Sequence, residues 1–234
     1  VLLEDLESCL RQVCGDQPIA LPFKTTSFPH WSKNLHAYAA DAGNASVLNY
    51  WLENTSTHTA ALKRDFESTG SGQNDLSTLQ TITTILPSDL SQALLTDGLK
   101  VFRAQINDLL LTALANTFEQ WTGQSKLLIT LEGHGREDLF KDVDISRTVG
   151  WFTSGFPVVL DMSSVPYAGD SQTGPRINQI KNILRSIPDH GVGFGIFRRL
   201  HPSAEIRNQL SRGDMPEVSF NYLGQFSEPP ANKF

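Results

Sequence analysis

Apolar residues recur at helical spacing in several segments of the chain. The spacing predicts helices over 1–13, 28–38, 46–53, 106–121 and 174–186. The fourth of these has a single continuous apolar face, made of Ile106, Leu109, Leu110, Ala113, Leu114, Thr117, Phe118 and Trp121.

Shorter apolar runs bounded by glycine, proline or polar residues indicate strands. We predict strands over 79–86, 126–131, 156–160 and 216–222, and a further helix that begins at 87–89. Strands that alternate with long helices are typical of the α/β class, although their order along the chain leaves the topology open.

One segment differs in composition from its neighbours. Residues 54–75 are rich in Thr, Ser, Gly, Asn and Asp, which favours a loop or a boundary between lobes. We therefore divide the chain into residues 1–75 and 76–234.

Composition excludes several classes of function. The 234 residues carry a formal net charge of −6, whereas a nucleic-acid groove needs clustered Lys and Arg. Cys9 and Cys14 are too few for a disulfide framework and have no nearby metal-ligand set, so we expect idle thiols in a reducing cytoplasm. No apolar run approaches the roughly 20 residues that span a bilayer, and residues 1–7 are not those of a signal peptide.

Candidate chemistry lies where the strand at 126–131 ends. Glu132 follows this strand directly and precedes two glycines, in the order Gly133-His134-Gly135. A carboxylate in a loop at a strand end can act as a general base, and glycines let the backbone approach a ligand closely. The spacing alone is equally compatible with a glycine turn that carries a solvated Glu–Arg pair.

The segment resembles a known family. Glu-Gly-His-Gly-Arg-Glu at 132–137 is similar to the EGHGRE motif of epimerisation domains in nonribosomal peptide synthetases. Four other segments match that family in the same order, at 107–114, 147–158 (RTVGWFTxxYP), 188–195 (PxxGxGYG, with Phe194 in place of Tyr) and 220–225 (FNYLG). Five ordered motifs make the resemblance specific.

The upstream part agrees with this resemblance. Residues 2–6 resemble the family's helix after its HHxxxDxxSW motif, and residues 24–31 resemble a stretch between its two lobes. The HHxxxD motif itself is absent. We therefore expect an internal fragment, cut at both ends, that lacks the catalytic histidine of the N-terminal lobe and is inactive alone.

The resemblance implies a fold. Family members have two lobes, each an α/β sheet with packed helices like chloramphenicol acetyltransferase, and an active-site tunnel between them. Residues 1–75 would be the end of the N-terminal lobe with inter-lobe linker helices. Residues 76–234 would be most of the C-terminal lobe, truncated at its C-terminus.

The resemblance also implies a reaction, in which the Cα of an aminoacyl or peptidyl thioester is inverted. Glu132 would act as base or acid, while Asn221 and Tyr222 would orient or stabilise the enolate oxygen. Arg147 also matches a family position, although a structural ion pair with Glu132, Glu137 or Asp144 stays open. Tyr222 is equally well explained as a strand aromatic, and His134 is better explained as structural.

No directly bound cofactor is expected. The substrate would arrive on the 4′-phosphopantetheine arm of a peptidyl carrier protein, and the other partner would be the missing lobe. Nucleic acid and membrane are not expected partners, and an uncovered lobe face would favour a homo-oligomer. Two alternatives remain, namely a condensation-domain lobe that forms peptide bonds and a non-catalytic module that docks carrier protein.

Overall fold

The computed structural model of the chain describes residues 1–55, 62, 65, 76–213 and 216–225. Helices pack with a small sheet, so the predicted α/β class is confirmed. The lobe boundary near residue 75 lies outside the described residues and stays a prediction, as does most of the loop predicted over 54–75.

The helices are α1 (Leu2–Cys14), α2 (Phe28–Ala40), α3 (Ala45–Thr55), α4 (Ser88–Ala93), α5 (Leu99–Phe102), α6 (Ile106–Thr122), α7 (Thr173–Ser186), α8 (Val192–Leu200) and α9 (Ala204–Ser211). A π-helical turn joins α4 to α5. The strands are β1 (Lys126–Gly133), β2 (Ser154–Asp161) and β3 (Val218–Phe220), in the order β2-β1-β3. β1 and β3 are parallel, and Leu131 pairs with Phe220.

The chain divides into two compact units. Unit 1 consists of Val1–His58, Ile129–Val158 and Ile187–Phe234, and unit 2 of Thr59–Leu128 and Val159–Ser186.

Aromatic side chains form the core of unit 1. Trp51 on α3 is fully buried and packs on Phe156 of β2 and Phe194 of α8, with ring centroids 5.9 and 5.3 Å away. A Cβ on Gly193 would lie 3.3 Å from the Trp51 ring nitrogen, so glycine lets α8 approach α3 closely. The sequence analysis did not predict α8, because its glycines are poor helix formers.

Two ion pairs join α6 and α7 in unit 2, and each has a buried member, Asp108 in one and Arg176 in the other. Asp108 on α6 accepts hydrogen bonds from both terminal nitrogens of Arg185 on α7, each at 2.9 Å. Arg176 on α7 is fully buried and donates to Glu119 at 2.7 Å. These contacts stabilise the packing of α6 on α7 by satisfying charges that burial would otherwise penalise.

The apolar face identified on α6 is only partly buried in the structure. Leu109 and Phe118 are buried, but Ala113, Thr117 and Trp121 are exposed. The buried stripe is instead made of Asp108, Leu109, Leu111, Thr112, Ala115 and Phe118. It was missed because Asp108 and Thr112 are polar, and each is buried with a hydrogen-bond partner.

The strand predicted over 79–86 is wrong. This segment belongs to no helix or sheet, and the side chains of Ile82 and Ile85 are 93% and 86% exposed. High β propensity describes side chains that fit a pleated, half-buried surface, and a strand also needs a neighbour to pair with. No described residues pair with this segment.

Candidate functional site

Glu132 lies at the carboxyl end of β1. Alternate side chains of the strand are buried at Leu127, Ile129 and Leu131, and Glu132 follows as a half-buried residue. Because Leu131 pairs with Phe220 in parallel register, Asn221 emerges beside Glu132. The Asn221 side-chain nitrogen donates to Glu132 Oε2 at 2.7 Å.

The structure therefore brings together two of the four predicted site residues, Glu132 and Asn221. Tyr222 is the next residue along the chain, and its side chain is half-buried. The amide fixes one oxygen of the Glu132 carboxylate, and Oε1 accepts no hydrogen bond from the described residues. An oriented carboxylate with one oxygen available can accept a proton from a bound molecule.

The loop after Glu132 is held tightly. Gly135 has a φ of +69°, and a Cβ there would lie 1.6 Å from the Phe152 carbonyl oxygen, so only glycine fits. Beside it, the Ser154 hydroxyl oxygen is buried and has no hydrogen-bond partner among the described residues; a Cβ on Gly133 would lie 3.1 Å from it.

Arg136 does not pair with Glu132. Its guanidinium donates to the carbonyl oxygens of Ile145 and Thr148, at 2.6 and 3.0 Å, and stacks 4.1 Å above the Phe152 ring. The side chain therefore ties the glycine loop to residues 145–152. Its role in these contacts is structural.

Arg147 has different partners from those considered in the sequence. Its guanidinium donates to Asp5 of α1 and lies 3.8 Å from Glu4, whereas Glu132, Glu137 and Asp144 had been the expected carboxylates. The ion pair with those three residues is a wrong expectation, because α1 supplies acids that are distant in sequence. The catalytic assignment of Arg147 stays a prediction.

Residues 144–148 are also fixed to the segment before α2. The Thr26 N–H donates to the Asp144 carbonyl at 2.8 Å, and the Asp144 N–H donates to the Thr26 hydroxyl at 3.1 Å. Hydrogen bonds from Ser146 lower the pKa of Asp144. This arrangement explains why the threonines of 25–26 lie outside α2, where Ser27 alone caps the helix.

Glu137, considered in the sequence only as a possible partner of Arg147, lies instead between two imidazole rings. Glu137 Oε2 lies 2.7 Å from His190 Nδ1, and Glu137 Oε1 lies 3.5 Å from His134 Nε2. Both histidines belong to motifs that the sequence analysis singled out, so the motifs were the available signal. Their proximity was not predictable, because residues 137 and 190 are far apart along the chain.

Beside that contact, Tyr38 Oη donates to Asp189 Oδ2 at 2.5 Å. Burial, with further contributions from the hydrogen bond and the charge of Asp189, raises the pKa of Tyr38. The phenol is therefore a persistent donor at any ordinary pH.

Neither a metal cluster nor a membrane span is found in the part of the chain that the structure describes. No group of three or more His, Cys, Asp or Glu side chains there is placed to hold a metal ion. None of the helices there is long and apolar enough to cross a membrane.

Comparison with curated proteins gives similarity over the whole chain. A component of the linear gramicidin synthase of Brevibacillus parabrevis is 40% identical over 237 residues, which cover 100% of this chain and 3% of that protein. Gramicidin S synthase 1 of Brevibacillus brevis is 38% identical, and the match covers 97% of this chain and 20% of that protein. The chain thus spans a small part of these relatives.

Solved structures extend the comparison to the fold. The chain is similar to the crystal structure of the epimerization domain from the third module of tyrocidine synthetase B, with a TM-score of 0.83 and 38% identity over 97% of this chain and 50% of that one. The first condensation domain of the CDA synthetase, at 15% identity and a TM-score of 0.54, shares the fold alone; the match covers 79% of this chain and 37% of that one.

A family model describes the same relationship. The model for the condensation domain matches residues 1–234. The resemblance drawn from the ordered motifs is therefore confirmed, and the chain belongs to the condensation domain family.

Proposed function

We propose that the chain is part of an epimerisation domain, which inverts the Cα of an aminoacyl or peptidyl thioester during nonribosomal peptide synthesis. The observation that carries this proposal is the half-buried Glu132 carboxylate at the end of β1, oriented by Asn221 at 2.7 Å. The EGHGRE and FNYLG motifs and the similarity to the tyrocidine synthetase epimerization domain support it.

In the proposed reaction, Glu132 accepts the Cα proton. The Cα–H bond breaks, an O–H bond forms on the carboxylate, and the electron pair delocalises onto the thioester carbonyl oxygen. A second acid, supplied by a part of the domain outside this chain, then returns a proton to the opposite face of Cα. The step conserves protons and electrons and needs no oxidant.

Asn221 and Tyr222 have distinct proposed roles. The Asn221 amide holds Glu132 Oε2, and Oε1 is the oxygen that accepts the proton. Tyr222 donates its phenol O–H to the enolate oxygen, where a positioned donor contributes most because charge develops there. Arg147 acts indirectly, through its ion pair with Asp5 of α1, which holds the start of the 147–158 motif.

The substrate in this proposal is carried by a partner. A peptidyl carrier protein presents the thioester on its 4′-phosphopantetheine arm, so the chain itself needs no resident cofactor. This partner is consistent with the synthases among the relatives.

Solvent deuterium exchange tests the proposal. The domain that contains this chain is incubated in D2O with an aminoacyl thioester on carrier protein, and deuterium at Cα is followed by mass spectrometry. We expect Glu132→Gln to slow exchange by about 10²–10⁴-fold. Its Tm should match that of Glu205→Gln, a control at an exposed glutamate on α9.

A peptide-bond-forming lobe is the second candidate, favoured by the condensation domain model that matches the chain. It predicts amide product from two loaded carrier proteins and no exchange at Cα. Exchange that persists in Glu132→Gln would contradict the proposed role of this residue as the base in epimerisation.

A further inference from the structure

Two consecutive residues before α8 have left-handed backbone angles. Asp189 and His190 have φ values of 47° and 48°, which are disfavoured for residues with a Cβ. Such residues persist only where other contacts hold them, and they concentrate at functional sites. Here each side chain has a partner elsewhere in unit 1: Tyr38 donates to Asp189, and His190 contacts Glu137.

This strained turn, residues 189–190, packs against the residue that follows Glu132. The His190 carbonyl oxygen is 3.6 Å from the position that a Cβ on Gly133 would take. Phe156 is 3.7 Å from the same position, and a Cβ on Gly191 would lie only 2.2 Å from its ring. A shift of the turn would therefore change the space in which Gly133, and with it Glu132, is held.

Glu137 is well placed to hold the turn. Its side chain is only 12% exposed, so its carboxylate depends on protein donors. The Arg136 N–H donates to His134 Nδ1 at 3.0 Å, so the neutral ring carries its proton on Nε2, which faces Glu137 Oε1. An ionised carboxylate only accepts hydrogen bonds, so His190 Nδ1 is the donor on the other side.

We propose that Glu137 is a positioning residue: by bridging His134 and His190, its carboxylate holds the strained turn against Gly133 and thereby sets the place of Glu132. The inference rests on the proposed function. Glu137 itself does not contact the substrate. The geometry of the turn instead affects the rate of Cα proton exchange, because it sets the position of Glu132.

The first test removes the Glu137 carboxylate in the domain that contains this chain. We expect Glu137→Ala to lower kcat for Cα exchange by on the order of 10- to 100-fold with KM unchanged, because small displacements of a catalytic group are costly. Glu137→Gln keeps one acceptor and should recover part of the loss. Asp138→Ala, at the exposed neighbouring residue, is the matched control and should retain the wild-type rate.

A second variant separates positioning from stability. Glycine adopts positive φ readily, so His190→Gly removes the bridge and relieves strain together. Relief of strain offsets part of the lost hydrogen bond, so we expect its Tm to lie closer to that of the wild type than the Tm of Glu137→Ala does, while kcat falls by about 10-fold. A kcat that follows Tm across these variants would overturn the proposal.

Amide hydrogen exchange over residues 132–136 provides a readout independent of catalysis. We expect faster exchange there in Glu137→Ala than in Asp138→Ala, and equal protection would overturn the positioning role. If the wild-type domain shows no Cα exchange, the proposed function fails, and the amide measurement still decides whether Glu137 orders this loop.

Discussion

Two carboxylates, one in each unit, have contrasting surroundings. Asp108 in unit 2 accepts two hydrogen bonds from Arg185 and one from the Gln105 N–H at 2.7 Å, so both of its oxygens are satisfied. Glu132 in unit 1 accepts one hydrogen bond from the described residues, from a neutral amide. The difference distinguishes a carboxylate that stabilises packing from one whose second oxygen is available for proton transfer.

The largest effect is expected from removing the charge of Asp108. Asp108→Asn puts an amide N–H group opposite the Arg185 guanidinium and loses the paired geometry, so we expect the free energy of unfolding to fall by about 2–3 kcal/mol. Chemical denaturation measures this. Asp97→Asn, at an exposed residue of the same unit, should change it by less than about 0.5 kcal/mol. Equal effects would show that Asp108 is not a structural carboxylate.

Asn221→Ala tests the second carboxylate of the comparison, Glu132. The exposed Asn221 amide orients Glu132 without burying a charge, so we expect Cα exchange to slow by about 10-fold or more, because small displacements of a catalytic group are costly. The free energy of unfolding should change by less than about 0.5 kcal/mol. Asn208→Ala, at an exposed position on α9, should leave exchange unchanged. A large loss of stability in Asn221→Ala would contradict the distinction.

The smallest effect concerns a partly exposed carboxylate, Asp161. Burial opposes its ionisation, but the hydrogen bond and charge of Lys126 and the hydrogen bonds from Ser163 outweigh it and lower the pKa of Asp161 below 3.8. Because the pKa is lowered in the folded state, the stabilisation is fully present well above pH 3.8 and is lost as pH falls through the lowered value.

The difference in unfolding free energy between wild type and Asp161→Asn should therefore be largest at about pH 6 and shrink in acid. We expect less than about 1 kcal/mol at its largest, because the pair is exposed and screened by salt. Denaturation series at several pH values, with Asp138→Asn as the control, measure it. A difference that grew on acidification would have the wrong sign.

The local pattern of apolar residues was sufficient to predict the two strands that carry Glu132 and Asn221. The apolar run at 126–131 predicted β1, and the strand predicted at 216–222 contains β3. Parallel register then brings Glu132 to Asn221, which no local rule determines. The sequence predicted both residues through the family motifs, and the structure supplies the hydrogen bond that relates them.

Other features depend on contacts that sequence spacing does not encode. Arg147 could have paired with several nearby acids, and its partner Asp5 lies on a helix distant in sequence. The buried side of α6 combines Leu109, Leu111 and Phe118 with Asp108, whose charge is paired by Arg185 of α7. In both cases a charge is paired by a residue from another element, and the spacing of residues along the chain does not reveal that partner.

The parallel pairing of Leu131 with Phe220 has a consequence for how this segment tolerates change. An inserted or deleted residue in either strand would place a different side chain next to the carboxylate, since successive residues face opposite sides of a sheet. Replacing one apolar strand residue by another would leave that neighbour in place. In β1 and β3, therefore, the number of residues in each strand determines which side chain lies beside Glu132, and the identity of each apolar residue matters less.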